Sequence, residues 1–277
     1  MRPLIGTTMA TVSPCQPVRL RVDLLGRLDA RTSDDRPIRL TGRHAQALVA
    51  LLVLARRPRS REAIAADLWP DADGASAGSL RQALWLVRQG LAEAGFGTGA
   101  LLDIEADTVG IRLDASIDLD VEQFEAMTTD ACCAETAVEI YHGDLLEGLG
   151  HECFAAERER LSDRFEDALA IVAERRLADG DATGAQAAAD QLLERDPLRE
   201  EAHAVLIAVH GMIGSRSQVI RQYRRLHDVL ARELDETPLP DTEAIYRQAL
   251  DRTMRRAVER AAMMDAERSP QLQAVGS

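Results

Sequence analysis

The sequence contains no lysine, so all 33 of its basic side chains are arginine. Aromatic residues make up only 3% of the chain, and no apolar run approaches the roughly 18 residues that a membrane-spanning helix needs. The four cysteines, Cys15, Cys132, Cys133 and Cys153, show no CxxC spacing and are too few for a dense disulfide framework. These absences argue against a membrane protein and against a disulfide-stabilised secreted protein. They predict reduced thiols in a cytoplasmic protein.

The residues that are abundant favour helix and more than one domain. The 277 residues are 46% apolar, and alanine, leucine, arginine and glutamate dominate. Residues 18–115 hold 14 arginines against 13 carboxylates, whereas residues 116–277 hold 18 arginines against 33 carboxylates. The first region is near neutral and can approach nucleic acid, but the second should be repelled by it. The charge distribution therefore predicts two domains with separate roles.

Residues 18–115 show the pattern of a winged helix-turn-helix. Residues 1–17 contain three prolines and no carboxylate, which predicts a disordered tail. Alternation, apolar periodicity and turn residues then predict the elements of this domain. They are, in order, a strand that begins at Val18, a turn at 32–37, a second strand at Ile38–Leu40, helices from Arg43 to about Ala55, from Ser60 to Trp69 and over about 75–94, and a hairpin of Leu101–Ile104 with Val109–Leu113.

The sequence pattern of residues 116–262 predicts consecutive helices, with a repeat in the later part of this region. A long amphipathic segment lies between Phe154 and Leu177, and beyond it small or apolar residues recur at a spacing of 34, beginning with Gly180 and Gly214. The other pairs at this spacing are Ala168 with Ala202, Ala185 with Val219, and Leu192 with Leu226. A period of 34 is typical of tetratricopeptide (TPR) helix pairs, and the alternative is a fortuitous helical bundle. Residues 263–277 are predicted to be a flexible tail.

Blocks along the chain also occur in a recognisable order. They are RPIRLTGRHAQALVALLVL at 36–54, SREAIAADLWPDAD at 60–73, SLRQALWLVRQGL at 79–91, YHGDLLEGL at 141–149, FAAERERL at 154–161, and the segments 195–207 and 221–246. The first three resemble the DNA-binding half of SARP-like transcriptional regulators, and the others resemble the bacterial transcriptional activator domain of that family. The resemblance implies a mostly α fold with a small β component: an N-terminal winged helix-turn-helix of the response-regulator type and a C-terminal TPR-like α-helical domain. It also implies a regulator, and we expect an activator, that binds double-stranded DNA, with a homodimer and contact with RNA polymerase as further expectations.

The helix over 75–94 is the candidate for the major groove. Its leucines and Val87 form an apolar stripe, and helical spacing puts Gln82 at the centre of the opposite face, with Trp85 and Leu86 beside it. Glutamine can pair with adenine and arginine with guanine or a phosphate, while an apolar side chain can contact a thymine methyl group. The candidate base-reading residues are Arg81, Gln82, Trp85, Arg88 and Gln89. The alternative is an ordinary solvated helix face.

Candidate phosphate contacts lie where helices begin, because N-termini and cations both suit an anion. They are Arg43 and His44 on the first helix, Arg59, Ser60 and Arg61 at the second, and Arg112 in the hairpin. For the second group the alternative is a solvated cluster in which Ser60 only caps the helix.

Other residues point away from catalysis and toward one competing function. The sequence has no Gly-rich phosphate loop and no nucleophile–base spacing, so neither an enzyme nor a cofactor is expected. His203 and His210 share a helix face but lack further metal ligands. The hairpin carries Asp103, Glu105 and Asp107, which would face phosphates unfavourably. Together with the apolar Trp85 and Leu86, this acidity favours the alternative of a protein-interaction adaptor whose winged helix has lost DNA affinity.

Overall fold

A computed structural model of the chain describes residues 19–71, 76–97, 99 and 101–273. Contacts divide the chain into two compact units. The first reaches Val121 and also includes Gly143–Arg158, and the second combines Glu122–His142 with the residues from Glu159 onward. The predicted tail at 1–17 lies outside the described residues, and the predicted domain limits stay predictions. Among the described helices, none is both long enough and apolar enough to span a membrane.

The first unit is a winged helix-turn-helix with an additional small sheet, to which both ends of the element order contribute strands. Its elements are, in chain order, β1 (Arg19–Asp23), β2 (Asp29–Thr32), α1 (Arg43–Ala55), β3 (Arg59–Ser60), α2 (Arg61–Leu68), α3 (Ser76–Glu93), β4 (Leu102–Ile104), β5 (Thr108–Ile111) and β6 (Ser116–Leu119). One sheet has the order β2-β1-β6, with β1 antiparallel to β2 and parallel to β6. The second sheet has the order β3-β5-β4 and contains the predicted hairpin. The three helices pack together around side chains that are fully buried, among them Leu48, Leu52, Ile64 and Val87.

The N-terminal hairpin turns earlier than the sequence pattern predicts. Gly26 has a φ of 99°, a conformation that favours glycine, and the chain reverses around it. Asp29–Thr32 then forms the second strand. The predicted strand at Ile38–Leu40 is wrong: this segment is not a strand, although its Ile38 N–H donates to the Ala30 carbonyl at 2.8 Å.

A buried carboxylate explains why β1 ends where it does. Asp120 lies at the start of α4 (Asp120–Thr128) and is 7% exposed. Its carboxylate accepts hydrogen bonds from the backbone N–H groups of Leu24 at 2.8 Å, Leu25 at 2.7 Å and Val121 at 2.8 Å. Burial raises the pKa of the Asp120 carboxyl group, and these hydrogen bonds oppose the shift. The carboxylate thus takes up the N–H groups that a longer β1 would direct to a neighbouring strand.

A distant segment completes the first unit. Residues 143–149 run beside the turn after β1, where Leu146 N–H donates to the Leu24 carbonyl at 2.8 Å and Gly26 N–H donates to the Asp144 carbonyl at 3.0 Å. Leu145 and Leu146 are fully buried. The first unit therefore includes a segment of the chain that begins more than twenty residues after Val121.

The second unit consists of helices that pair in sequence. The elements after α4 are α5 (Ala134–Ile140), α6 (Ala155–Ala178), α7 (Ala182–Arg195), α8 (Glu200–Ile213), α9 (Arg216–Glu233) and α10 (Pro240–Gln273). Among them, α6 begins in the first unit and continues into the second. The described part of the predicted 263–277 tail belongs to α10, and residues 274–277 lie outside the described residues.

The predicted 34-residue repeat is confirmed in three dimensions. Gly180 and Gly214 end equivalent helices, with φ of 81° and 86°, and α7 and α9 begin 34 residues apart. The residue pairs that share this spacing are buried alike: Ala168 and Ala202, Ala185 and Val219, and Leu192 and Leu226 are each at most 3% exposed. The unit is therefore TPR-like.

Candidate nucleic-acid interface

Helix α3 buries one face and exposes the other, as the sequence predicts. Leu80, Leu84, Val87 and Leu91 are at most 5% exposed, and α3 packs against α1 and α2. This packing fixes the rotation of α3 about its axis. It therefore decides which side chains can reach a ligand.

The exposed arc of α3 contains all five predicted base-reading residues. Arg81, Gln82, Arg88 and Gln89 are exposed, and Trp85 is 60% exposed. Helical spacing puts the two arginines on one edge of the arc and the two glutamines on the other, with Trp85 between them. The Gln89 side-chain amide donates to the Glu93 carboxylate at 3.2 Å. Trp85, rather than Gln82, is therefore central on the exposed arc.

Two small residues and Leu86 account for this rotation. Gly90 is buried, and a Cβ atom added there would lie 2.4 Å from the Arg39 carbonyl oxygen, so α3 approaches the backbone before α1 closely. Leu86 is half-buried, and its Cδ1 would lie 3.6 Å from a Cβ atom at Gly42. The exposed apolar pair expected from the sequence is thus reduced to Trp85. By contrast, nothing lies within 4 Å of a Cβ atom added at Gly78.

The predicted phosphate contacts around α2 and the hairpin are occupied by intramolecular partners. Arg59 forms an ion pair with Asp67 at 2.7 Å, and Arg112 forms a two-pronged pair with Asp114 at 2.8 and 3.0 Å. Ser60 caps α2 by accepting the Ala63 N–H at 3.1 Å, as predicted. Arg61 connects α2 to the hairpin, because its guanidinium donates to the Glu105 carbonyl at 3.2 Å. Anion binding by Arg59 or Arg112 would therefore compete with an existing ion pair.

Arg43 and His44 lie beside residues of the segment 143–158, which belongs to the first unit. Arg43 donates to the Gly148 carbonyl at 3.1 Å. The His44 ring lies 5.2 Å from the Trp69 ring and 5.6 Å from the His151 ring, measured between centroids. Burial, together with the nearby His44 and Arg43, lowers the pKa of His151. Trp69 and His151 were not predicted from the sequence, because no local pattern indicates that residue 151 folds back to α1.

Among the described residues, one group of possible metal ligands comes together. The ligand atoms of Asp130, Cys132 and Cys133 lie within 4.8 Å of one another. A hydrogen bond to Asp130 raises the pKa of the Cys132 thiol to about 11, and thiols bind metals as thiolates. Asp130 also accepts the Cys132 backbone N–H at 3.0 Å. Cys132 is exposed and Cys133 is half-buried.

Comparisons with known proteins bear on each half of the chain. Residues 119–250 match the family model of the bacterial transcriptional activator domain. A solved structure of Mycobacterium tuberculosis EmbR in complex with a low-affinity phosphopeptide has a similar fold, with a TM-score of 0.69 and 22% sequence identity. The similarity covers 90% of this chain and 71% of the EmbR chain. A search among curated proteins found no match.

The winged helix, the TPR-like unit and their order along the chain agree with these comparisons. At 22% identity, the likeness to EmbR establishes the fold, and the family match identifies the region that follows the winged helix. The chain therefore carries a bacterial transcriptional activator domain at residues 119–250, and the order of its two units resembles that of SARP-like transcriptional regulators.

Proposed function

We propose that the protein is a transcriptional activator that binds double-stranded DNA with α3 in the major groove. The observation that carries this proposal is the exposed arc of α3, on which Arg81 and Arg88 flank Trp85 on one side and Gln82 and Gln89 flank it on the other. Arginine and glutamine supply the donors that read guanine and adenine, and the indole supplies an apolar surface for a thymine methyl group.

The rest of the chain would serve activation in the cytoplasm. The segment 70–76, of which residues 72–75 lie outside the described residues, is where we propose contact with RNA polymerase. Residues 116–262 would hold two copies together as a homodimer or respond to an effector. Arg43, His44, Arg61 and Ser60 would supply contacts to the phosphate backbone near the ends of α1 and α2.

Genomic footprinting of the tagged protein would identify the operator, and titration of a labelled operator would then measure affinity. We expect footprints at discrete sites, and binding that weakens with added salt because phosphate contacts release counterions. Sedimentation of the protein with and without operator would test the homodimer. Uniform recovery of genomic DNA without discrete footprints would contradict sequence-specific binding.

One observation favours a second function, that of a protein-interaction adaptor. A tryptophan that is 60% exposed lies at the centre of the arc, and Arg59 and Arg112 are paired with carboxylates. Retention on heparin or on nonspecific duplex DNA at low salt separates the two functions. An activator that contacts DNA should be retained, whereas an adaptor with no DNA affinity should flow through.

A further inference from the structure

Helix α9 concentrates positive charge within an acidic region. Its sequence, RSQVIRQYRRLHDVLARE, contains five arginines and two carboxylates, whereas residues 116–277 as a whole hold 18 arginines against 33 carboxylates. Arg221, Arg225 and Arg232 recur at i, i+4 and i+11, so they lie along one face of the helix, and Arg224 lies beside them. Like charges at this spacing repel each other. Helix stability therefore gives no reason for the arrangement.

These four arginines line one concavity of about 680 Å³, together with Asp228 and the apolar Val229. All four are exposed. Among the described residues, Arg224 and Arg225 have no hydrogen-bond or ion-pair partner. Arg221 donates only to the Gln218 side chain at 3.1 Å, and Arg232 forms an exposed ion pair with the neighbouring Glu233. The concavity therefore presents guanidinium groups that are free or weakly engaged.

The back wall of the concavity is neutral and already satisfied. His203 is 1% exposed, and its Nε2 lies 3.1 Å from the Pro197 carbonyl oxygen while its Nδ1 lies 2.8 Å from the Gln222 amide nitrogen. A carbonyl only accepts, so Nε2 carries the proton and Nδ1 accepts from Gln222. Burial lowers the pKa of His203, and the nearby Arg225 does so as well. The arginines are thus the only described groups of this concavity that can bind an anion, and Asp228 opposes it.

We propose that the α9 concavity binds a small ligand that carries two or more phosphate groups in series. Guanidinium groups pair with phosphate oxygens through two parallel hydrogen bonds. Arg221 and Arg232 are separated by a helical rise of about 16 Å, so one phosphate ion cannot reach both ends of the stripe. A concavity of this size suits a metabolite. An extended polyanion such as duplex DNA would meet the net negative charge of residues 116–277.

Calorimetric titration of the full chain with inorganic tripolyphosphate tests the proposal. We expect saturable binding, and much weaker binding of inorganic phosphate. The double variant Arg224→Gln/Arg225→Gln should weaken tripolyphosphate binding by about tenfold or more, because two charge-assisted contacts are lost. Asp228→Asn should tighten binding, since it removes the opposing carboxylate.

A matched control separates a built site from general charge. The double variant Arg216→Gln/Arg255→Gln removes the same charge from exposed positions that do not line the concavity, and we expect it to change affinity by less than about twofold. Equal losses in the two double variants, or no binding by the wild type, would overturn the proposal. Loss of nonspecific duplex affinity in Arg224→Gln/Arg225→Gln without any tripolyphosphate binding would overturn it in favour of a DNA-backbone contact. Tripolyphosphate binding does not depend on the proposed DNA function, so the two can fail separately.

Discussion

Replacing Gly78 and Gly90 of α3 with alanine, one at a time, should change the stability of the protein in opposite directions. In a helix interior alanine is favoured over glycine by up to about 1 kcal/mol. At Gly78, the third residue of α3, the added methyl group meets open space, so a part of this gain should appear as increased stability. At Gly90 the added Cβ atom would lie 2.4 Å from the Arg39 carbonyl oxygen, where ordinary contact begins at 3.4 Å. Backbone must therefore move by about 1 Å, and overpacking of this kind costs about 1–3 kcal/mol.

Urea unfolding followed by circular dichroism measures both variants against the wild type. We expect Gly78→Ala to raise the urea midpoint. Gly90→Ala should lower the midpoint, because the overpacking cost of about 1–3 kcal/mol exceeds the helix-propensity gain of up to about 1 kcal/mol, and the slope should be unchanged. The shared propensity gain makes the two variants controls for each other. An increase in stability in both variants would show that helix propensity decides the outcome. It would refute the close approach of α3 to Arg39.

Three further predictions concern a buried carboxylate, a buried histidine and the reading helix. Asp120→Ala leaves three backbone N–H groups without their acceptor. We therefore expect the free energy of unfolding in urea to fall by about 3–5 kcal/mol. A change near zero, or an equal loss in the exposed control Asp103→Ala, would contradict this account. Burial lowers the pKa of His203, so below about pH 6.5 the unfolded chain binds more protons than the folded chain. The free energy of unfolding should therefore fall as the pH drops below that value. If the free energy of unfolding has the same pH dependence in His203→Gln as in the wild type, His203 is not the cause. On a labelled operator, Gln82→Ala should reduce the preference for the correct base by about 1–3 kcal/mol. Arg88→Ala should weaken binding to all DNA sequences alike, and it should reduce the slope of log affinity against log salt concentration by about one per protomer. If neither variant changes affinity or specificity, α3 is not the reading helix.

The elements set by local patterns could be predicted from the sequence. The apolar period predicts α1 from Arg43 to about Ala55, and α1 has these bounds. The capping residue Ser60 likewise predicts where α2 begins, and the turn near Asp107 predicts where the hairpin reverses. The 34-residue spacing of Gly180 and Gly214 predicts the helix pairs, because each repeat packs the same face against its neighbour.

The features set by distant contacts could not be predicted in this way. The end of β1 depends on Asp120, which follows it by nearly a hundred residues. The rotation of α3 depends on Gly90, a residue type that is disfavoured within helices but that permits close packing here. The apolar stripe alone predicts that Gln82 lies opposite the core. Because α3 is also buried at Gly90, Trp85 and not Gln82 lies at the centre of its exposed arc. Arg59 pairs with Asp67 because the fold of α2 brings the two side chains together, and a count of charged residues does not show which of them pair.

The uneven distribution of aromatic side chains gives the two units different optical signals. Both tryptophans, Trp69 and Trp85, belong to the first unit, whereas Tyr141, Tyr223 and Tyr246 belong to the second. Trp85 lies on the exposed arc of α3, and Tyr223 lies on α9, where its ring stacks on Tyr246 at 4.0 Å. Fluorescence excited selectively in tryptophan therefore follows the winged helix in the intact protein. Tyrosine emission follows the TPR-like unit, so unfolding or ligand binding in each can be monitored without labels or truncation.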